Sequence, residues 1–296
     1  MYNGVRMFLG RSALLLVVLA LNASWMQAQD APTVPIEEII RKFAAKEKEF
    51  ARARANYVYR QEVKVQELDA NDRVLGEYAI TSDVTFDQSG KRTEKIVYAP
   101  PVTLGTGRSS IRMSPEDLED IQTIQPFVLT SDDIQKYNVK YVGKEMIDEI
   151  DCYAFDVEPK KIEKGQRYFQ GKIWVDDRDL QIVKTYCKAV PDLRVDKPGE
   201  ENLFPRFETY REQIDDYWFP TYTRAVDTLN FSSGKKRIRQ IIKYGNYKKF
   251  QANVNLTFGD AVDDKGGGVT APPTPIDNKA PALDPKYKKP AEPAKK

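Results

Sequence analysis

Residues 57–86 read YVYRQEVKVQELDANDRVLGEYAITSDVTF. Tyr57, Tyr59, Val63 and Val65 alternate with Val58, Arg60, Glu62 and Lys64. After the turn-forming run Asp69-Ala70-Asn71-Asp72, the residues Tyr78, Ile80, Val84 and Phe86 alternate with Ala79, Thr81, Asp83 and Thr85. A period of two puts successive side chains on opposite faces of a strand. Two such runs joined by a turn therefore predict an antiparallel hairpin with one apolar face.

Moving downstream, Asp87-Gln88-Ser89-Gly90 is a second turn. A third strand runs from about Lys91 to Tyr98 and is stopped by Pro100-Pro101. Ser114-Pro115-Glu116-Asp117 has a capping residue, a first-turn proline and first-turn acids, which predicts a short helix to Ile124. A second short helix is expected from Ser131 to Tyr137. Strands resume at Val139. They are expected over 151–158, 168–175, 181–188, 206–213, 217–225, 226–231, 236–244 and 247–258.

Upstream, Thr33-Val34-Pro35 opens a helix to about Ala53. Ile36, Ile39, Ile40, Phe43, Glu47 and Phe50 fall at helical spacing, and only Glu47 is polar. The stripe is narrow, which favours packing on the sheet over lying on a membrane surface. The fold class expected is mainly β (α+β). A curved antiparallel sheet should form an incomplete barrel, with the N-terminal helix and the inserted helices over its concave side.

The chain begins with Arg6 and Arg11, an apolar run from Ala13 to Leu21, and Met26-Gln27-Ala28-Gln29. This is the layout of a secretory signal, with cleavage expected after Ala28. The run is shorter than the roughly 20 residues that a membrane span requires. The expected organisation is a signal peptide over 1–28, one domain over 29–260 and a disordered Pro- and Lys-rich tail over 261–296. The exported part is expected to be periplasmic and not to span the membrane.

Composition excludes several functions. The 46 Lys and Arg nearly balance the 44 Asp and Glu, which argues against nucleic acid as a partner. The chain has no histidine, so Ser-His-Asp and Cys-His catalysis and histidine zinc sites are out. Carboxylate pairs remain possible, but no pair is singled out, and no catalytic residue, cofactor or metal site is assigned. Asp176, Asp177 and Asp179 are read as a turn in preference to a calcium loop. Gly105-Thr106-Gly107-Arg108-Ser109-Ser110 lacks the Lys-Ser/Thr ending of a phosphate loop. Lys235-Lys236-Arg237-Ile238-Arg239 is read as a basic strand edge that deters aggregation.

Cys152 and Cys187 are the two cysteines, and an exported chain makes a disulfide the default. A simple meander places them roughly 16 Å apart, beyond the about 7 Å that a disulfide tolerates. Only a bulge or crossover would join them.

The stretch Tyr168-Phe169-Gln170-Gly171-Lys172-Ile173-Trp174-Val175-Asp176, with Asp179-Leu180-Gln181-Ile182-Val183-Lys184 and the helix-then-hairpin order before it, resembles the outer-membrane lipoprotein-sorting proteins, the LolA/LolB-like group. The resemblance spans roughly Ile36 to Phe258. It implies a half-barrel plugged by helices, with a cavity for acyl chains. The Arg-Pro of the true carrier is absent from Val84–Lys91.

The leading expectation is a periplasmic carrier with an apolar groove for a lipid or an acylated protein. The candidate groove residues are Tyr59, Val63, Ile80, Val84, Phe86, Phe155, Phe169 and Ile173, taken as apolar members of alternating strands. The other expectation is a scaffold or sensor that binds envelope proteins without a lipid.

Overall fold

A computed structural model of the chain describes residues 34–87, 91–193, 203–204, 206–231 and 234–249. The signal segment, the tail, the turn at 88–90 and the strand expected beyond 249 lie outside these residues. Helix α1 (Ile36–Arg54) is followed by β1 (Tyr57–Leu68), β2 (Val74–Phe86) and β3 (Arg92–Tyr98). Short helix α2 (Pro115–Glu119) continues as a π-helical turn at Asp120–Ile124, and a 3-10 turn follows at Ile134–Lys136. Next come β4 (Tyr137–Ile147), β5 (Ile150–Pro159), β6 (Tyr168–Asp176), β7 (Ile182–Val190), β8 (Phe207–Ile214), β9 (Tyr217–Phe231) and β10 (Gly234–Lys249).

All ten strands form one antiparallel sheet in the order β3-β2-β1-β10-β9-β8-β7-β6-β5-β4. The sheet is not closed: β3 and β4 are its two edges. This is the mainly-β, incomplete-barrel class expected. The order also explains the insertion. Residues 99–136 connect one edge of the sheet to the other, so they have to cross a face. They bring Leu104, Ile111, Ile121, Ile124, Phe127 and Leu129 into the main core with Ile39 and Phe43 of α1 and the inner face of the strands. Phe43 packs on Phe155 of β5 at 5.3 Å between ring centroids, and Phe50 packs edge-on against Phe219 of β9 at 5.0 Å. The helix stripe therefore faces the sheet.

Two expected strand breaks are absent. Residues 217–231 form one strand, because the alternation runs through Ala225–Val226 with no turn residue. Residues 234–249 also form one strand. The Gly245-Asn246 pair that suggests a hairpin is a bulge: between Val58 and Arg60 of β1 the pairing slips by one residue on β10, and Asn246 takes φ 55°. Pro35 is the residue preceding α1, where its extended ψ of 136° still permits the helix to start.

The basic stretch 235–239 is not an edge. β10 lies between β1 and β9, and three of the four cations have partners: Lys236 lies 3.5 Å from Glu67, Arg237 2.5 Å from Asp72, and Arg239 donates to Gln66 at 2.9 Å.

The cysteines are both free and buried. Cys152 pairs with Asp176 and Cys187 with Gly171, which puts them two strands and five residues apart, roughly 19 Å at standard strand spacing. They also face opposite sides: Cys187 joins the main core, and Cys152 joins a second cluster with Ala154, Trp174, Val183 and Trp218.

Candidate functional site

Along β1 the inward residues are Tyr57, Tyr59, Gln61, Val63, Val65 and Glu67. Two are polar, and each has a fixed partner. Gln61 accepts from Arg92 at 2.6 Å. Glu67 accepts from the Ser109 hydroxyl at 2.7 Å and from the Ser110 N–H at 2.9 Å. The glycine-rich loop 105–110 therefore presents its donors to a carboxylate of its own chain. The turn at 176–179 has a similar internal explanation: Asp176 Oδ1 accepts from the N–H groups of Arg178 at 2.6 Å and Asp179 at 3.1 Å.

Glu47, the polar member of the helix stripe, is fully buried. Its Oε1 accepts from the Ile182 N–H at 3.1 Å, and both carboxylate oxygens accept from Arg211 Nη1, at 3.1 and 3.2 Å. Burial pushes its carboxyl upward, while Arg211 and the Ile182 N–H pull it back. Arg211 also donates to the Phe127 carbonyl. The pair thus ties α1, β7, β8 and the insertion together. A buried charge needs this kind of full pairing.

Between the open β1–β3 end of the sheet and the helical turn above it lies a groove of about 260 Å³. It is lined by Val63, Tyr78, Ile80, Ile96, Leu118 and Ile121, with Gln61, Glu94 and Gln122. Its walls are apolar and its polar residues are linked. Arg92 joins Gln61 to Glu94, and Gln122 of the π-helical turn donates to Glu94 at 3.3 Å. The Gln122–Glu94 bond spans from the insertion to the edge strand. The groove opens at the edge strand, where its lining residue Ile96 is 59 % exposed.

All eight expected residues are on the inner side. Tyr59, Val63, Val84, Phe155, Phe169 and Ile173 belong to the buried core, and Ile80 and Phe86 pack against it. Of these, Val63 and Ile80 line the groove. The other six meet protein: Phe169 stacks on Phe127 at 4.0 Å, Tyr59 stacks on Tyr247 at 5.1 Å, and Phe155 packs at a tilt against Phe43. Alternation could not reveal where the helix and insertion would settle. Tyr78 was visible in that same alternation, while Leu118 and Ile121 carried only an i, i+3 signal in a short helix.

A second, larger cleft of about 730 Å³ lies on the other side of the insertion, between α1, the 3-10 turn and the β5–β6 loop. Its lining includes Arg54, Lys136, Lys160, Lys161 and Arg167, with Asp133 and Glu163, over Ile124, Phe127 and Tyr137. Arg167 is held by Asp120 through a buried pair at 2.6 and 2.8 Å. No helix among the described residues is long and apolar enough to cross a membrane.

No family model matches the chain, and no curated protein matches it. Among solved structures it is similar to a DUF1329 family protein from Desulfovibrio piger, at 17 % identity over 76 % of this chain and 96 % of that one, with a TM-score of 0.41. It is also similar to a LolA superfamily protein from Nitrosomonas europaea, at 14 % identity over 74 % of this chain and 94 % of that one, with a TM-score of 0.35.

Proposed function

We propose that this chain is an exported, non-enzymatic binding protein of the lipoprotein-sorting type, acting in the periplasm. Its ligand is an apolar chain, from a lipid or an acylated protein, held in the groove between β1–β3 and the 115–124 turn. The observation that carries this reading is an apolar groove that opens at an edge strand onto the exposed side chain of Ile96. Solvent-facing apolar surface is costly to keep unless something covers it. At about 260 Å³ the groove is just smaller than the usual ligand pocket of about 300–1,000 Å³. It therefore suits the end of one acyl chain, and a larger cargo requires the insertion to lift. In that lifted state Tyr59, Val84 and Phe86 become available, and Phe155, Phe169 and Ile173 extend the same face.

A scaffold without lipid is the second reading. It is favoured by one observation: β3 is an unpaired edge with apolar side chains, to which an extended peptide can add a strand. One experiment separates the two. The exported chain, purified from its own envelope, is weighed by native and denaturing mass spectrometry alongside an Ile80→Asp variant. A lipid or acyl-peptide mass that leaves on denaturation and is missing from the variant supports the carrier. A clean protein mass, with no uptake of offered oleate, sinks the carrier and leaves the scaffold.

A further inference from the structure

Arg54 stands in the last turn of α1 with its guanidinium carbon 4.2 Å from the Phe86 ring centroid and 5.9 Å from that of Phe50. Its Nε is buried with no hydrogen-bond partner. The nearby carboxylate, Glu47, is already bonded to Arg211, so two arginines face one acid and a positive charge is left over. Such an arrangement is expensive in an interior unless an anion completes it. The helix C-terminus favours a cation but supplies only a partial charge.

The cleft that Arg54 lines adds to this excess. Five cations and two carboxylates border it. Lys136 is paired with Asp133, Lys161 with Glu163 and Arg167 with Asp120. Among the described residues no carboxylate pairs with Arg54 or with Lys160. Lys160 is held beside the 3-10 turn by its N–H, which donates to the Lys136 carbonyl at 2.8 Å. Two unmatched cations, one a planar fork and one a mobile ammonium, fit a doubly charged oxyanion. The walls formed by Ile124, Phe127, Val128 and Tyr137 can receive an organic body.

We propose that this cleft is a binding site for a phosphate-bearing ligand, with the phosphate received by Arg54 and Lys160. It shares no lining residue with the groove on the other side of the insertion, so the inference stands without the groove's ligand. The phosphate could belong to a free phosphate compound or to a lipid headgroup, and the test distinguishes them.

The full exported chain is titrated calorimetrically with inorganic phosphate. It is also floated with phosphatidylcholine vesicles, with and without phosphatidic acid. Arg54→Gln and Lys160→Glu are compared with Lys235→Glu, an exposed lysine remote from the cleft lining. Losing one charge-assisted contact should weaken binding roughly tenfold to a hundredfold. Calorimetric binding weakened by Arg54→Gln and Lys160→Glu, but not by Lys235→Glu, supports a soluble phosphate ligand. Flotation that needs phosphatidic acid and is lost in the same two variants supports a headgroup. Lys160 is exposed and unpaired, so Lys160→Glu keeps the test decisive even where Arg54→Gln fails to fold. If neither probe binds, or if Lys235→Glu weakens binding as much as Lys160→Glu, the proposal is overturned.

Discussion

At the residue scale, Gly171 explains part of the most recognisable stretch in the chain. A Cβ there would sit 2.3 Å from the Tyr186 carbonyl oxygen and 2.5 Å from the Cys187 Cα, and backbone cannot step aside as a flexible side chain can. Gly171→Ala should cost about 1–3 kcal/mol, read as a shift of the urea midpoint. Glu47→Ala leaves Arg211 buried without its acid and should cost about 3–5 kcal/mol. Replacing both partners by apolar residues of similar volume should recover most of that loss. Neither effect was visible in sequence: Glu47 stood out as an exception on the stripe, but its partner lies 164 residues away. The thiols add a pH dependence. Burial pushes Cys152 up to about 12, and it also raises Cys187. The folded chain keeps both protons while the unfolded chain releases its own from about pH 8.5. Their contribution is therefore complete below that pH and is lost as pH rises toward 12. Urea midpoints should fall between pH 8 and pH 10.5, and less so in a Cys152→Ala/Cys187→Ala variant. Both thiols should stay unreactive to a thiol reagent in the folded chain.

Elements were legible where period and punctuation agreed. The helix stripe, the first hairpin and the Ser114 capping box of α2 follow from residue types at fixed spacings. The bulge at 245–246 was not legible, because Gly-Asn marks a turn and a bulge equally well. The insertion walls both the groove and the cleft. It is tied down by the Asp120–Arg167 pair and, at the groove mouth, by Gln122 bonded to Glu94. Gln122 is exposed, so Gln122→Ala should change stability by no more than about 0.5 kcal/mol, yet speed uptake of a fluorescent fatty acid. Asp120→Ala should instead raise hydrogen exchange across 115–130 while β8–β10 stay protected. Equal uptake rates for Gln122→Ala and the parent chain would mean that the bond does not gate the groove.

For the whole molecule, strand count was nearly readable and strand order was not. The pairing of β1 with β10 joins residues such as Val63 and Ile242 across most of the chain, and no local pattern encodes that. It also makes β1 and β10 interior and leaves β3 and β4 as edges, which sends residues 99–136 across the inner face. That is why six of the eight apolar positions chosen by alternation are covered and two are left at the groove. The uncovered part is proposed to receive an apolar chain. The direct measurement is methyl NMR of the chain from residue 29 onward with a fatty acid carrying a spin label at its tail. Selective broadening of the Ile80, Ile96 and Ile121 methyls is expected, with those of Ile173 and Ile182 sharp. Uniform broadening, or none, would contradict it.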